Sequence, residues 1–353
     1  MVKLFNLDRH WNEVSSKVTK LANIEMHKGI FQRGELTQEL EKRICKATNR
    51  NYCSTYGSGT AALAQGLRNL QLPVGTEVLV PAYTFISSVS AISLAGLTPV
   101  FCDVDAFYHI DLAKAETKIN SNTRVLLYVT LLGSPSVPTV GQWCKNHGLL
   151  LVEDAAQSFG APLSNDAVFS MLSFSPTKPC TSFGSGGAIV TNIEDVAKQA
   201  ELGRLHGKRT NKDNVTCLGV NSVMSTHEVA SVLVNLDLLN SHQQRRQQIA
   251  DTYYKELSGL VEFARYRAKS TYSKYIIRHE NRDNMPGTVH YRVLPPQEHL
   301  YQRSLPKNCE RLQKTSITLP NCAYMTGAEV QLVIEDVKKA AGITVSNSYK
   351  ISG

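Results

Sequence analysis

The chain has 353 residues, 42% of them hydrophobic and 19% charged, a balance that fits a globular protein of about two domains with large cores and excludes a low-complexity or collagen-like chain. Its 38 Lys and Arg against 30 Asp and Glu give a net charge of +8, which favours an anionic ligand; the basic residues are scattered rather than gathered in a stripe with aromatics, so no nucleic-acid partner is expected. Eight cysteines with no CxxC pair and no ligand-like spacing argue against both a disulfide framework and a metal site, and fit reduced thiols in a cytoplasmic protein.

Residues Met1 to Trp11 lack the apolar run of an export signal, and the apolar stretch Val78 to Phe101 is broken by Pro81 and Gly96, so neither a leader nor a membrane span is expected. Leu36, Leu40, Ile44 and Ala47 recur at helical spacing and predict an amphipathic helix over 35–47. The stretch Ser58-Gly59-Thr60-Ala61 then runs from a Gly/Ser turn into an Ala/Leu-rich helix. The first turn of such a helix carries unpaired N–H groups and the positive end of its dipole, which suits a phosphate; an ordinary N-cap turn would read the same way.

Strands are predicted at 77–80, 98–103, 124–129, 149–153, 168–174 and 187–191, alternating with helices at 85–95, 112–119, 140–147 and 194–202. That alternation predicts an α/β domain with a mainly parallel sheet flanked by helices and a ligand site beyond the strand carboxyl ends. The apolar strand Leu149 to Val152 leads to Glu153 and Asp154, which places the Asp154 carboxylate at that edge, as a ligand contact, a helix N-cap, or both.

One strand further on, Ser173-Phe174-Ser175-Pro176-Thr177-Lys178 is followed by the glycines of Gly184-Ser185-Gly186-Gly187. A lysine held in a cleft there loses hydration, which lowers its pKa and makes the amine a nucleophile toward carbonyls; a solvated turn is the alternative. Cys180 reads as a small buried side chain, and His279-Glu280 and Glu298-His299 as surface polar residues without metal-binding spacing. A polar loop is expected over 208–216, then a long helix over 225–257 whose apolar first half gives way to Arg and Gln. The domain boundary is placed within it: a large domain with an N-terminal arm over 1–240, and a small α+β domain over 241–353 with strands at 261–266, 275–279 and 315–319, a helix at 327–341 and a mobile tail from 344.

The ordered set of Ser58 to Leu63, Val80 to Phe85, Pro99 to Asp105, Val152 to Gln157, Ser173 to Lys178 and His206-Gly207, continued by Gly219-Val220-Asn221 and His290-Tyr291, resembles the DegT/StrS-type aminotransferases. These are fold type I enzymes that use pyridoxal 5'-phosphate (PLP) and mostly aminate nucleotide-linked keto sugars. The resemblance implies that Lys178 is the lysine of the internal aldimine and Asp154 the partner of the pyridine nitrogen. It places Gln157 beside the phenolic oxygen and Phe85, or less readily Tyr83, against the ring. The phosphate falls to Ser58, Gly59, Thr60, Ala61 and Ser173, and Asn221 reaches the phosphate of the neighbouring subunit, so a homodimer with shared sites is expected. The donor implied is L-glutamate and the acceptor a keto sugar. A PLP-dependent eliminase or dehydratase of the same fold, or a non-catalytic regulatory homologue, are the alternatives; the dehydratase branch has a histidine where this chain has Lys178. Three positions depart from the family pattern and bear on the acceptor: Thr130-Leu131-Leu132-Gly133 replaces a His-Leu-Tyr-Gly stretch, Val223 replaces a basic residue and Ser185 an acidic one.

Overall fold

The computed structural model describes residues 2–208 and 214–343. Most of the predicted polar loop and the tail 344–353 lie outside the described residues. The chain opens with helices α1 (Leu7–Met26) and α2 (Glu35–Thr48), and then builds a seven-stranded sheet from β1 (Tyr52–Tyr56), β2 (Glu77–Pro81), β3 (Thr98–Cys102), β4 (Thr123–Val129), β5 (Leu150–Asp154), β6 (Phe169–Ser173) and β7 (Gly187–Thr191). Between and after these strands run α3 (Gly59–Arg68), α4 (Ile86–Leu94), α5 (Leu112–Glu116), α6 (Val140–Asn146) and α7 (Glu194–Gly203). The strand order is β1-β7-β6-β5-β4-β2-β3. Strands β3, β2, β4, β5 and β6 are mutually parallel, whereas β7 is antiparallel to both β6 and β1.

Burial on both faces explains why these strands are continuously apolar. Because side chains alternate across a sheet, Val78, Val80, Val125, Leu127 and Val152 enter one core with Leu63, Phe169 and Met171. Their neighbours Leu79, Leu126, Tyr128 and Leu151 enter another with Val140 and Cys144. The same alternation sends Glu153 and Asp154 to opposite faces of β5.

Helix α8 (Thr226–Leu257) starts at a capping box, in which Ser225 and Glu228 satisfy each other's backbone N–H groups. Its Val229, Val232 and Leu233 pack under the large sheet, and Ile249, Tyr253 and Leu257 pack on a second sheet. That sheet is antiparallel, in the order β10-β9-β8, from β8 (Glu262–Phe263), β9 (Tyr275–Arg278) and β10 (Ser316–Leu319), with α9 (Lys307–Thr315) and α10 (Gly327–Ala340) beside it.

Several elements differ from the sequence reading, the unexpected helix α9 among them. The N-terminal arm is the 20-residue α1, whose buried residues His10, Val14, Val18, Ala22 and Glu25 include two polar groups and so present a weak apolar stripe. They pack against Ala230 and Val234 of α8. Strand β1 was not expected, because Tyr52-Cys53-Ser54-Thr55-Tyr56 lacks a clean alternation and pairs only through the distant β7. The strand expected over 261–266 shrinks to two residues, since only Glu262 and Phe263 pair with β9. No helix among the described residues is long and apolar enough to cross a membrane.

Candidate active site

A cleft of about 380 Å³ opens beyond the carboxyl ends of β4, β5 and β6, against the start of α3. It is lined by Ser58, Gly59, Thr60, Phe85, Asp154, Gln157, Ser173 and Lys178, which brings together residues spread over 120 positions of sequence. Of the expected site residues, Ala61 and Asn221 are not on its wall.

At the start of α3, the Ser58 hydroxyl accepts the Ala61 N–H at 3.1 Å. The Ala61 N–H is thus taken up by the helix cap, and Gly59 and Thr60 are the first-turn donors left without an intrahelical partner. Glycine is required here for packing. A Cβ on Gly59 would lie 3.0 Å from both the Met171 sulfur and the Ser173 Cβ, and one on Gly187 would lie 2.5 Å from the Gly59 nitrogen. Strand β7 therefore runs flush against the helix start, and Gly59 and Thr60 line the cleft together with Ser173.

Asp154 is the last residue of β5. One carboxylate oxygen accepts the Ser88 hydroxyl at 2.7 Å and the other the Ala156 N–H at 3.1 Å. No helix follows, so the carboxylate closes a tight turn rather than capping a helix. Burial raises its pKa, while the Ser88 hydrogen bond, the Ala156 N–H and the positive charge of Lys178 oppose that rise. Lys178 shows the reverse balance: burial lowers its pKa and Asp154 works against the shift. Among the described residues the two make no ion pair within 4 Å, so the amine stays available.

Gln157 is fixed at both ends of its amide, accepting the Leu132 N–H at 2.9 Å and pointing its nitrogen to the Tyr291 hydroxyl at 3.4 Å. Phe85 lies on the cleft wall, 47% exposed, with its ring 5.7 Å from that of Tyr291. Tyr83 is in the core, donating its hydroxyl to the His290 carbonyl, so of the two aromatics only Phe85 faces the cleft. Asn221 is exposed and bridges to Leu205. Thr130 lines the cleft, but its hydroxyl is engaged with the Asp154 carbonyl at 3.1 Å and with Ser158 at 2.6 Å. Ser185 also lines it, and its N–H bonds Glu228, so an acid from α8 serves the glycine cluster.

The sequence reading missed Ser88 and Lys274, and gave no role to His290 and Tyr291, all four of which line the cleft. Ser88 sits inside a helix and Lys274 just before a strand, and neither carries a local signal. His290-Tyr291 is the one pair the sequence flagged, as part of the resemblance.

The family model for the DegT/DnrJ/EryC1/StrS aminotransferase family matches residues 13–338. The chain is 27% identical to the UDP-2-acetamido-2-deoxy-3-oxo-D-glucuronate aminotransferase of Pseudomonas aeruginosa, over 83% of this chain and 87% of that protein. Its fold superposes on DesV of S. venezuelae, solved in complex with ketimine intermediate, with a TM-score of 0.92 and 25% identity over 98% and 99% of the two chains. It superposes on ntda from Bacillus subtilis, solved with bound cofactor pmp, with a TM-score of 0.90 and 26% identity over 96% and 85%. The chain belongs to the DegT/DnrJ/EryC1/StrS aminotransferase family and is an enzyme that transfers amino groups.

Proposed function

We propose that the cleft holds PLP and that the enzyme moves an amino group from L-glutamate to a nucleotide-linked keto sugar. The observation that carries this reading is one cleft wall shared by Lys178, Asp154 and the uncapped N–H groups of α3. These residues fit the cofactor. Gly59 and Thr60 N–H groups with the Ser173 hydroxyl form a donor set for a phosphate dianion, reinforced by the helix dipole. Asp154 is an acceptor for a protonated ring nitrogen, Lys178 is an amine with no ion-pair partner among the described residues, and Phe85 and Gln157 supply a ring face and an amide.

When bound, PLP supplies an electron sink for the pair left behind when a proton leaves the carbon next to nitrogen. The protein's part is positional and protic. Asp154, held by Ser88 and Ala156, keeps a negative charge where a ring N–H⁺ needs it. Lys178, its ammonium form disfavoured by burial, takes the proton from Cα of the donor through its neutral Nζ. Tyr291 and Gln157 hold each other across the cleft and restrict the ring's orientation.

The substrate class rests on the relative from Pseudomonas aeruginosa, whose name states a UDP-linked 3-oxo sugar. The exposed Asn221, off this chain's own cleft, supports a two-fold dimer in which it reaches the partner's phosphate site. A boundary near residue 240 is supported by α8, whose Leu239 and Ile249 enter different cores. Eight unpaired cysteines support a cytoplasmic location. The test is a half-reaction: PLP-loaded protein mixed with L-glutamate alone should release one equivalent of 2-oxoglutarate, and then aminate a nucleotide-linked keto sugar in a second step. Release of no 2-oxoglutarate would sink the donor assignment.

A further inference from the structure

Lys274 is a buried amine with no anionic partner among the described residues. It is 8% exposed and lines the same cleft as Lys178, and its Nζ lies 4.1 Å from the centre of the Phe5 ring. Among the described residues it has no carboxylate partner, and the one charge acting on it is the like charge of Lys178. Its backbone is fixed: the Tyr266 hydroxyl donates to the Lys274 carbonyl at 2.7 Å and accepts the Ile276 N–H at 2.9 Å. A buried ammonium left with only a ring face is an incomplete site, because burial of a charge is strongly unfavourable unless a counter-charge meets it.

The other basic groups on this wall are committed elsewhere. Lys178 is the proton-moving amine. His290 is held in its neutral form, its pKa lowered to about 4 by burial and by Lys274 and Lys178, and its Nδ1 lies 3.0 Å from the Thr318 hydroxyl. Asp154 acts on Lys178 and Tyr291 rather than on Lys274. Among the described residues, no arginine lines the cleft wall.

Chemistry decides which anion fits. The proton that Lys178 removes is bonded to Cα of the amino donor, and an α-amino acid carries its α-carboxylate on that same carbon. A carboxylate one bond from the reacting atom must lie near the Lys178 amine, and among the described residues Lys274 is the remaining cation on that cleft wall. We infer that Lys274 recognises the α-carboxylate of the amino donor, a role that rests on the aminotransferase reading. Burial and Lys178 lower the Lys274 pKa to about 7, so an arriving carboxylate also draws a proton onto its amine.

The experiment titrates PLP-loaded protein with L-glutamate, L-glutamine and L-alanine, each against its α-carboxamide, and follows binding by the cofactor absorbance. Wild-type protein should prefer at least one acid over its amide by about ten- to hundred-fold, the scale of a charge-assisted hydrogen bond. In Lys274→Met that preference should fall below about three-fold with the unfolding midpoint little changed, and Lys274→Arg should keep most of it. The wild-type preference should also weaken as pH is raised, since burial lowers the pKa of the Lys274 amine, whereas that of Lys274→Arg should not, since a guanidinium stays charged. A preference that survives in Lys274→Met, or a loaded wild-type protein that shows none or binds none of the acids, overturns the inference. Failure of the parent reading shows earlier and separately, as protein that takes up no PLP.

Discussion

The two faces of β5 hold adjacent carboxylates in very different company. Glu153 points into the core that contains Leu126, Tyr128 and Leu151, where it accepts the Ser170 hydroxyl at 2.7 Å and lies near the Ser164 N–H, with the positive charge of Arg50 in reach. Asp154 points into the cleft, tied by Ser88 and Ala156 and facing the field of Lys178. Both are buried and burial raises both pKa values, so neither property separates a structural acid from a chemical one. The separation comes from open volume beside Asp154 and from an amine in the same cleft that has no ion pair among the described residues. A perturbed carboxylate marks a site only when there is room for a ligand to use it.

The largest effect should come from removing the amine that distinguishes the cleft face. Lys178→Ala is expected to lower turnover by roughly 10²–10⁴-fold or more and to abolish the borohydride-trapped attachment of PLP to the chain, read by mass spectrometry. Turnover within a few-fold of wild type would remove Lys178 from its role. Next in size, Asp154→Asn and Glu153→Gln should part company. The first should cost about 10²-fold in turnover with little change in stability, and the second about 1–3 kcal/mol of stability, by leaving a polar group unsatisfied, with turnover preserved. Equal kinetic effects from both would erase the contrast between the faces.

A smaller change is expected from Ser88→Ala, which removes a single hydrogen bond to Asp154. About three- to ten-fold in turnover follows from the usual strength of such a bond, measurable as a KM-against-kcat split confined to kcat. A pH effect on the Glu153 face is read in stability instead of turnover. His109 is fully buried, its Nδ1 2.9 Å from the Tyr128 hydroxyl, and burial together with Arg267 lowers its pKa to about 3 from an ordinary 6.5. With the folded value below the unfolded one, its contribution is complete above pH 6.5 and is lost as pH falls toward 3. Thermal melts of His109→Gln should therefore show a shallower loss of stability between those limits than wild type; parallel curves would show that another group sets the acid limb.

The site was legible in sequence wherever chemistry and secondary structure coincide locally. Lys178 follows an apolar strand and precedes glycines, Asp154 ends an apolar strand, and Gly59 and Thr60 open an Ala-rich helix; the cleft wall contains all four. Ser88 and Lys274 were not legible, because each reaches the cleft only through packing between elements distant in the chain. Nor was the cap at Ala61 legible, where the side chain of Ser58 takes the N–H.

What the sequence determined by itself is the alternation of doubly apolar strands with amphipathic helices, hence a parallel sheet with chemistry at its carboxyl edge. Those signals are short-ranged, set by side-chain period and by which residues can end a strand or start a helix. The tertiary structure alone decided that α1 packs on α8, that β1 joins the far edge through β7, and that Phe85 rather than Tyr83 faces the cleft. It also decided that Lys274 shares the cleft wall with Lys178 and has no counter-charge among the described residues. These outcomes depend on which surfaces meet and how much water they exclude, and no window of sequence encodes that.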